Sequence, residues 1–193
     1  MSIVILGGIA KGFRLKVPES EHLRPTSIIL RRKVFDWNQS LEGWIFVDLC
    51  AGTGAMAFEA ASRGAREIWL NEKDRKHFKF LEQSAIKFKD KFEHLGHLHL
   101  SEKPFHVFVK SFFNHYEKWD EEKKKGVILF FDPPYENHEM YKTFLRCLKE
   151  SFFKGQIWIE SDVRKGLPVH WFEQNLTMNY KLFSQGDHFL FIC

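Results

Sequence analysis

One short segment, residues 44–54, constrains the fold of this chain more than any other. The run Trp44–Val47 is continuously apolar, which is typical of a β-strand buried on both faces. It leads into the sequence DLCAGTG at residues 48–54, and residues 55–63 then have the composition of a helix. Glycine permits a tight turn and the close approach of a ligand. A strand, a glycine turn and a helix in this order therefore predict an α/β domain with a ligand site at the carboxyl edge of its sheet.

Strands and helices alternate along most of the remaining sequence. This alternation predicts a parallel sheet with helices on both faces, because parallel strands need a crossover connection. Two apolar stretches around Gln185-Gly186-Asp187 predict an antiparallel C-terminal hairpin, and residues 3–17 predict a small N-terminal hairpin. The further predicted strands are Ile68–Leu70, Val107–Val109, Val127–Phe131 and Ile157–Ile159, and the predicted helices cover residues 28–37, 55–63, 74–90 and 139–150.

A second motif, Asp132-Pro133-Pro134-Tyr135, directly follows the strand Val127–Phe131. Proline lacks an N–H donor and has a fixed φ, so the Asp132 carboxylate and the Pro133 carbonyl would be rigid hydrogen-bond acceptors. Two acceptors that hold both N–H bonds of an exocyclic amine make its lone pair available and direct it at an electrophile. Tyr135 would offer a ring on which a flipped base stacks. Together the two motifs predict an enzyme that methylates an amine.

Residues 52–57 fit two classes of cofactor site. The sequence GTGAMA satisfies G-x-G-x-x-A, and Glu72 lies 20 residues beyond Gly52, where dinucleotide-binding proteins place an acid for the ribose. The ribose of S-adenosylmethionine also binds an acid at the end of the second strand. Asp48 favours this second class, because a carboxylate beside the loop attracts the charged methionine end and repels a pyrophosphate. No residues for hydride transfer are evident, so a dehydrogenase is the least favoured interpretation.

Composition excludes several other classes of protein. Of 193 residues, 44% are hydrophobic and 28% are charged, which is enough apolar material for a substantial core. No apolar run approaches the ~20 residues that cross a bilayer, and the N-terminus lacks a secretory signal. The three cysteines, Cys50, Cys147 and Cys193, are widely spaced and odd in number. We therefore expect no disulfide framework, no membrane partner and a cytoplasmic location.

Positive charge is concentrated near the N-terminus. The net charge is +4, and residues 1–33 contain seven Lys and Arg against two Glu. A basic element of this kind suits an anionic partner such as nucleic acid, although an incidental solvated surface explains it equally well. The nucleic-acid interpretation assigns RNA contacts to Arg24, Arg31 and Arg32.

The sequence resembles the RsmD-type methyltransferases, a family that modifies guanine N2 in bacterial small-subunit ribosomal RNA. The resemblance covers nearly the whole chain. D-P-P-Y and G-x-G are shared with other amino-methyltransferases, whereas the R-P-T segment, the S-R-G-A stretch and the tail pattern distinguish this family. The segments that carry it are Ile5–Gly8 with Lys11-Gly12, Leu23–Thr26, Val34–Trp37, Asp48–Gly54, Ala61–Ala65, Glu72–Asp74, Asp132–Tyr135, Ile159–Ser161 and Gly166–Pro168.

The resemblance implies a Rossmann-like, S-adenosylmethionine-dependent methyltransferase fold with a mostly parallel seven-stranded sheet. The implied substrate is the N2 amine of a guanine in 16S rRNA or in a small-subunit assembly intermediate, methylated by a monomer that needs no metal. It also divides the chain into an RNA-facing hairpin and helix extension, residues 1–40, and a catalytic domain, residues 41–193. The implied site residues are Asp48, Gly52 and Gly54 for the cofactor, Glu72 for its ribose, Asp132, Pro133 and Tyr135 for the guanine, and Arg24 and Thr26 near RNA phosphates.

The sequence departs from this family at two positions. Arg32 stands where the family has Glu, and Ser111 stands after the predicted strand Val107–Val109 where the family often has an Asp for the adenine amine. Ser111 is therefore our candidate for the adenine contact. These departures leave open a non-catalytic RNA-binding module with a decayed cofactor site, which the intact Asp48, Glu72 and Asp132 oppose.

Two other methyltransferase substrates fit parts of the pattern. D-P-P-Y also suits an adenine-N6 methyltransferase acting on DNA or RNA, since both targets are exocyclic amines, but the DNA enzymes usually carry a large recognition insert. A protein glutamine methyltransferase more typically has N-P-P-Y, so Asp132 counts against it. His94, His97 and His99 have no cysteine or acid at ligand spacing, so a loop leading into a strand explains them better than a metal site.

Overall fold

The computed structural model describes residues 2–17, 27–176 and 178–193. The strands found there are β1 (Ser2–Val4), β2 (Arg14–Lys16), β3 (Ile45–Asp48), β4 (Glu67–Asn71), β5 (His97–Ser101), β6 (Val127–Phe131), β7 (Gln156–Asp162), β8 (Lys181–Gln185) and β9 (His188–Ile192). The helices are α1 (Ile28–Trp37), α2 (Ala55–Ser62), α3 (Arg75–Lys91), α4 (Phe105–Tyr116), α5 (Glu121–Lys125), α6 (His138–Glu150) and α7 (Val169–Asn175). Among these described helices, none combines the length and apolar character needed to cross a membrane.

Seven strands form one sheet in the order β5-β4-β3-β6-β7-β9-β8. The first five strands in this order, β5, β4, β3, β6 and β7, are parallel. β9 runs antiparallel to both β7 and β8. Every residue of β3 and β6 is buried, as their continuous apolar runs predict for central strands. Phe46 packs into one core with α1, α2 and α3, while Ile45 and Val47 pack into the other with α4 and α6. The predicted α/β fold with helices on both faces and an antiparallel C-terminal hairpin is confirmed.

One predicted strand is wrong. Val107–Val109 lies inside α4, where the buried residues Phe105, Phe108, Val109 and Phe112 follow helical spacings of three and four. The strand in this part of the chain is β5, which begins ten residues earlier at His97. Among the described strands it lies at the edge of the sheet and pairs with β4 alone, and its exposed histidines alternate with half-buried leucines. Without a continuous apolar run, this edge strand gave a weaker sequence signal than the apolar helix after it.

The N-terminal hairpin of β1 and β2 is attached to the end of α2 by buried polar groups. Glu59 Oε2 accepts a hydrogen bond from the Leu6 N–H at 2.7 Å. Ser62 Oγ accepts one from the Ala10 N–H at 2.8 Å and donates one to the Gly7 carbonyl at 2.5 Å. The S-R-G-A stretch, which begins at Ser62, therefore holds the extension against the sheet domain. The division of the chain at residue 40 stays a prediction.

Arg31 was predicted to contact RNA, and that prediction is wrong. Its side chain is completely buried under α1, where Nη2 donates to the Val4 carbonyl at 2.8 Å and Nη1 to the Ala55 carbonyl at 3.4 Å. Burial lowers the pKa of this guanidinium, and the Glu59 carboxylate opposes the shift. A basic residue in a helix looks surface-exposed from sequence, but Arg31 shares a face with Leu30 and Val34 rather than with exposed Arg32.

Candidate active site

A cavity of about 550 Å³ opens at the carboxyl ends of β3, β4 and β6. This is the edge at which ligands bind in open α/β sheets. The two sequence motifs meet there, because the strands that precede them are neighbours in the sheet. Six of the predicted site residues line the cavity: Asp48, Gly52, Glu72, Asp132, Pro133 and Tyr135.

The glycine loop between β3 and α2 depends on two left-handed backbone conformations. Gly52 has φ +52° and lines the cavity, as predicted. Gly54 has φ +75° and precedes the first residue of α2, and it is absent from the cavity wall. A Cβ at Gly54 would lie 2.7 Å from both Leu81 Cδ1 and Phe58 Cε2. Gly54 therefore lets α2 start tightly against α3, which supports the loop rather than providing a ligand contact.

Glu72 follows β4 and fixes the conformation of the glycine loop. Its Oε2 accepts a hydrogen bond from the Gly52 N–H at 2.8 Å, and its Oε1 accepts one from the Asp74 N–H at 2.7 Å. Each carboxylate oxygen has a further lone pair for another donor. The side chain is therefore held in one orientation beside the cavity, with acceptors that suit the two hydroxyls of a ribose.

Asp48 and Asp132 place carboxyl groups with perturbed acidity in the same cavity. Burial raises the pKa of Asp48 well above its usual range, and the Glu72 and Glu160 carboxylates raise it further, although the Cys50 N–H opposes the shift with a hydrogen bond at 3.3 Å. Burial also raises the pKa of Asp132, together with Glu160 and Asp48. Acidic groups that repel one another in this way are stabilised by a cationic ligand and disfavour a pyrophosphate.

The D-P-P-Y loop leaves β6 and runs along the cavity. Asp132 is partly exposed to the cavity and Pro133 is buried. The Pro134 carbonyl accepts a hydrogen bond from the Asn137 N–H at 2.8 Å, which closes the turn that leads into α6. Tyr135 lines the cavity, and its hydroxyl donates to Glu160 Oε1 at 3.1 Å. Burial, with the nearby Asp132 and Glu160, raises the pKa of Tyr135, so it stays a neutral phenol.

Ser111 does not join the other predicted site residues. It lies in the middle of α4 and lines a separate cavity of about 570 Å³ with Trp69 and His99. The prediction that Ser111 contacts the adenine depended on a strand at Val107–Val109, and these residues form part of α4. Phe105, the first residue of α4, lines the active-site cavity instead.

Three further residues, Asn71, Glu160 and His188, lie at or beside the site and are not indicated by the sequence motifs. Asn71 Nδ2 donates to the Leu49 and Lys103 carbonyls at 3.2 and 3.1 Å, so it ties together the loops after three neighbouring strands. Glu160 in β7 and His188 in β9 both contact the Tyr135 hydroxyl. A polar residue directly after an apolar run is the one signal that marks Asn71 and Glu160, while nothing local in the sequence marks His188.

The structure also locates Arg32, which was assigned to RNA, and the three histidines, which were assigned to a loop leading into a strand. Arg24 and Thr26 lie outside the described residues, whereas Arg32 is described and exposed on α1. His97 and His99 belong to β5, and His94 lies in the loop before it. Within the described ranges, no group of three His, Cys, Asp or Glu side chains is arranged to hold a metal ion.

The strand order and the cavity define the class of this protein: it has the fold of an S-adenosylmethionine-dependent methyltransferase. A solved structure described as "Putative methyltransferase yhhF from Escherichia coli" superposes with a TM-score of 0.70 at 25% identity, covering 100% of this chain and 97% of that one. A profile of the family described as "Conserved hypothetical protein 95" matches residues 3–183. The chain belongs to this family, which is the RsmD-type family that the motifs indicate.

Relatives of known name are similar to this chain over most of its length. The protein of Escherichia coli strain K12 named Ribosomal RNA small subunit methyltransferase D is 29% identical over 174 residues, which cover 86% of this chain and 78% of that protein. The protein of the same name from Buchnera aphidicola subsp. Baizongia pistaciae is 28% identical over 166 residues, covering 83% of this chain and 76% of that protein.

Proposed function

We propose that this chain transfers a methyl group from S-adenosylmethionine to the exocyclic N2 amine of a guanine in small-subunit ribosomal RNA. The observation that carries the proposal is the meeting of the D-P-P-Y loop with Asp48 and the Glu72-held glycine loop in one cavity. One motif fits the methyl donor and the other fits an amine acceptor. The names of the RNA methyltransferase relatives support the choice of substrate.

The residues around the glycine loop fit S-adenosylmethionine by their chemistry. Burial and neighbouring carboxylates raise the pKa of Asp48. A nearby cation, such as the ammonium or sulfonium of that cofactor, would stabilise its ionised form. Glu72 is oriented to accept from the ribose hydroxyls, and Phe105 gives the adenine ring an apolar surface. The bound cofactor would supply an electrophilic methyl group with a neutral thioether as its leaving group.

The D-P-P-Y loop would hold the target base. The Asp132 carboxylate and the Pro133 carbonyl accept the two N–H bonds of the amine and aim its lone pair into the cavity. The raised pKa of Asp132 makes its carboxylate a better acceptor for the proton that the amine loses as the N–C bond forms. The neutral ring of Tyr135 stacks on the base, which must leave its own helical stack to reach the cavity.

RNA binding would use exposed cations rather than the buried Arg31. Arg32 is exposed on α1, and Lys165 reaches the rim of the cavity. Cations in these places neutralise phosphates and make binding salt-dependent. A ribosomal RNA substrate also sets the reaction in the cytoplasm, and the relatives favour the small subunit or its assembly intermediate over DNA.

The test is methyl transfer from labelled S-adenosylmethionine to small subunits from a strain that lacks this modification. We expect label in 16S rRNA. Asp132→Ala should lower the rate by at least about 100-fold, because it removes both a hydrogen-bond acceptor for the amine and the group that accepts the proton the amine releases. Cofactor affinity, measured by equilibrium titration, should survive in Asp132→Ala. Cofactor binding without label in either RNA or DNA would contradict the proposal, and absence of cofactor binding would favour a decayed, RNA-binding module.

A further inference from the structure

A polar network behind the D-P-P-Y loop connects it to the C-terminal hairpin. The Tyr135 hydroxyl donates to Glu160 Oε1 at 3.1 Å and also lies 3.1 Å from His188 Nδ1. Glu160 is completely buried in β7, whereas the His188 side chain, at the start of β9, is 30% exposed. The proposed methyl transfer gives neither Glu160 nor His188 a role, so the network needs its own explanation.

The protons in this network can be assigned from the donors and acceptors present. A tyrosine hydroxyl has one proton, and here it points to Glu160. With that proton directed at Glu160, the lone pairs of Tyr135 Oη face His188 Nδ1, and we assign His188 the tautomer whose Nδ1–H donates to them. Asp162 Oδ2 lies 3.9 Å from the same Nδ1, and its negative charge favours a proton there.

Asp162 itself is held in place by the backbone. Its Oδ1 accepts hydrogen bonds from the Arg164 and Lys165 N–H groups at 2.8 and 2.9 Å. Asp162 and His188 are also paired across the β7–β9 ladder. The imidazole therefore stands on a rigid part of the sheet, and it reaches Tyr135 through a hydrogen bond rather than by stacking, since the two rings are 5.6 Å apart and tilted by 58°.

We propose that His188 is a positioning residue for the target base. The hydrogen bond from its Nδ1 to Tyr135 Oη, opposite the bond from Tyr135 to Glu160, fixes the rotation of the tyrosine ring and hence the plane on which the base stacks. A fixed plane keeps the amine aligned with the methyl donor, and small misalignments lower the rate of such reactions strongly. This inference rests on the proposed function, because it takes Tyr135 to be the surface that the base contacts.

Two substitutions of His188 separate its hydrogen bond from its bulk. The side-chain amide nitrogen of Asn occupies nearly the position of Nδ1, whereas that of Gln occupies nearly the position of Nε2. We expect H188Q to lower kcat by about fivefold to tenfold, the value of one hydrogen bond, without changing cofactor affinity. H188N should recover most of the loss. Equal loss in both variants, or a loss expressed only as weaker cofactor binding, would overturn the proposal.

A double-mutant cycle tests the claim that His188 acts through the tyrosine hydroxyl. Y135F removes the hydroxyl and leaves the ring. If the proposal is right, H188Q has no further effect on kcat in the Y135F background, although it has its full effect in the wild type. Independent, additive effects in the two backgrounds would show that His188 acts in another way and would refute the assignment.

A measurement without substrate distinguishes failure of this inference from failure of the proposed function. Nitrogen-15 NMR of the histidine rings should show His188, identified by loss of its signals in H188N, with a protonated Nδ1 at pH 7.5, and Y135F should shift it towards the Nε2-protonated form. If wild-type protein methylates no RNA but this signature is present, the proposed function fails and the network stands. An unprotonated Nδ1 in wild-type protein overturns the network itself.

Discussion

Replacing the two adjacent arginines of α1, one at a time, separates a structural role from an RNA-binding role. Arg31→Met and Arg32→Met both remove a positive charge, and methionine keeps much of the apolar stem of the arginine side chain. Arg31 is completely buried and bonded to the Val4 and Ala55 carbonyls, whereas Arg32 is exposed. The sequence predicts RNA contacts for both, and the structure predicts one for Arg32 alone.

The size of the Arg31 effect follows from its contacts. A hydrogen bond from a charged donor contributes about 1.5–3 kcal/mol, and the bond to Val4 at 2.8 Å is much better formed than the one to Ala55 at 3.4 Å. Arg31→Met also leaves the buried Glu59 with one fewer cation, while relief of the guanidinium's burial offsets part of the cost. We expect the free energy of unfolding to fall by about 2–3 kcal/mol, and Tm by about 5–10 °C.

Two assays decide between the roles. Urea unfolding and thermal melting should show the loss for Arg31→Met and a change within about 0.5 kcal/mol for Arg32→Met. RNA affinity measured at several salt concentrations should show the reverse. The slope of log affinity against log salt concentration should fall by about one, the contribution of one phosphate contact, in Arg32→Met only. Normal stability with weakened RNA binding in Arg31→Met would refute the burial argument. Unchanged RNA affinity and salt dependence in Arg32→Met would refute the assigned contact.

Three further predictions concern the cavity and its supports. Asp132→Asn should raise the free energy of unfolding at pH 8 while abolishing methyl transfer, because burial raises the folded-state pKa of Asp132 and makes its ionised carboxyl unfavourable. The gain in stability should shrink as pH falls towards the usual carboxyl range. Lower stability of the variant at pH 8 would contradict this prediction. Glu72→Gln should weaken S-adenosylmethionine binding by about tenfold or more in a calorimetric titration. One of the two oxygens that accept from the Gly52 and Asp74 N–H groups becomes an amide nitrogen, which cannot accept a hydrogen bond. Equal affinity of the variant would exclude the ribose role. Gly54→Ala should lower the free energy of unfolding, measured in urea, by about 2–4 kcal/mol. Gly12→Ala should lower it by about 1 kcal/mol, because Gly12 has a positive φ but no close contact. Equal losses would contradict the close packing at Gly54.

The central part of the fold and the site could be predicted because the signals there are local. The runs Ile45–Val47 in β3 and Val127–Phe131 in β6 are continuously apolar, since both strands are buried on both faces. Asp48 is the last residue of β3, Gly52 lies in the loop after it, and Asp132 directly follows β6. Neighbouring parallel strands bring their carboxyl ends together. A motif placed at the end of a recognisable strand therefore gives its own location in the structure.

The errors arise where tertiary contacts override a local pattern. Edge strand β5 has exposed histidines at alternate positions, so the apolar α4 was mistaken for the strand, and Ser111 was assigned with it. Burial of Arg31 depends on carbonyl groups of β1 and of the start of α2, which are distant in the chain. The contact between Tyr135 and His188 spans 53 residues and two strands, and no spacing rule predicts it.

The most direct test of this account is the identity of the methylated atom. A single-turnover reaction with trideuteromethyl-labelled cofactor and unmethylated small subunits, followed by digestion and mass spectrometry of the nucleosides, reports the base and the position together. We expect trideuteromethyl label on N2 of guanosine, and we expect it to be lost in the Asp132→Ala variant. Label on N6 of adenosine would contradict the proposed substrate, and label that persists in Asp132→Ala would contradict the proposed site.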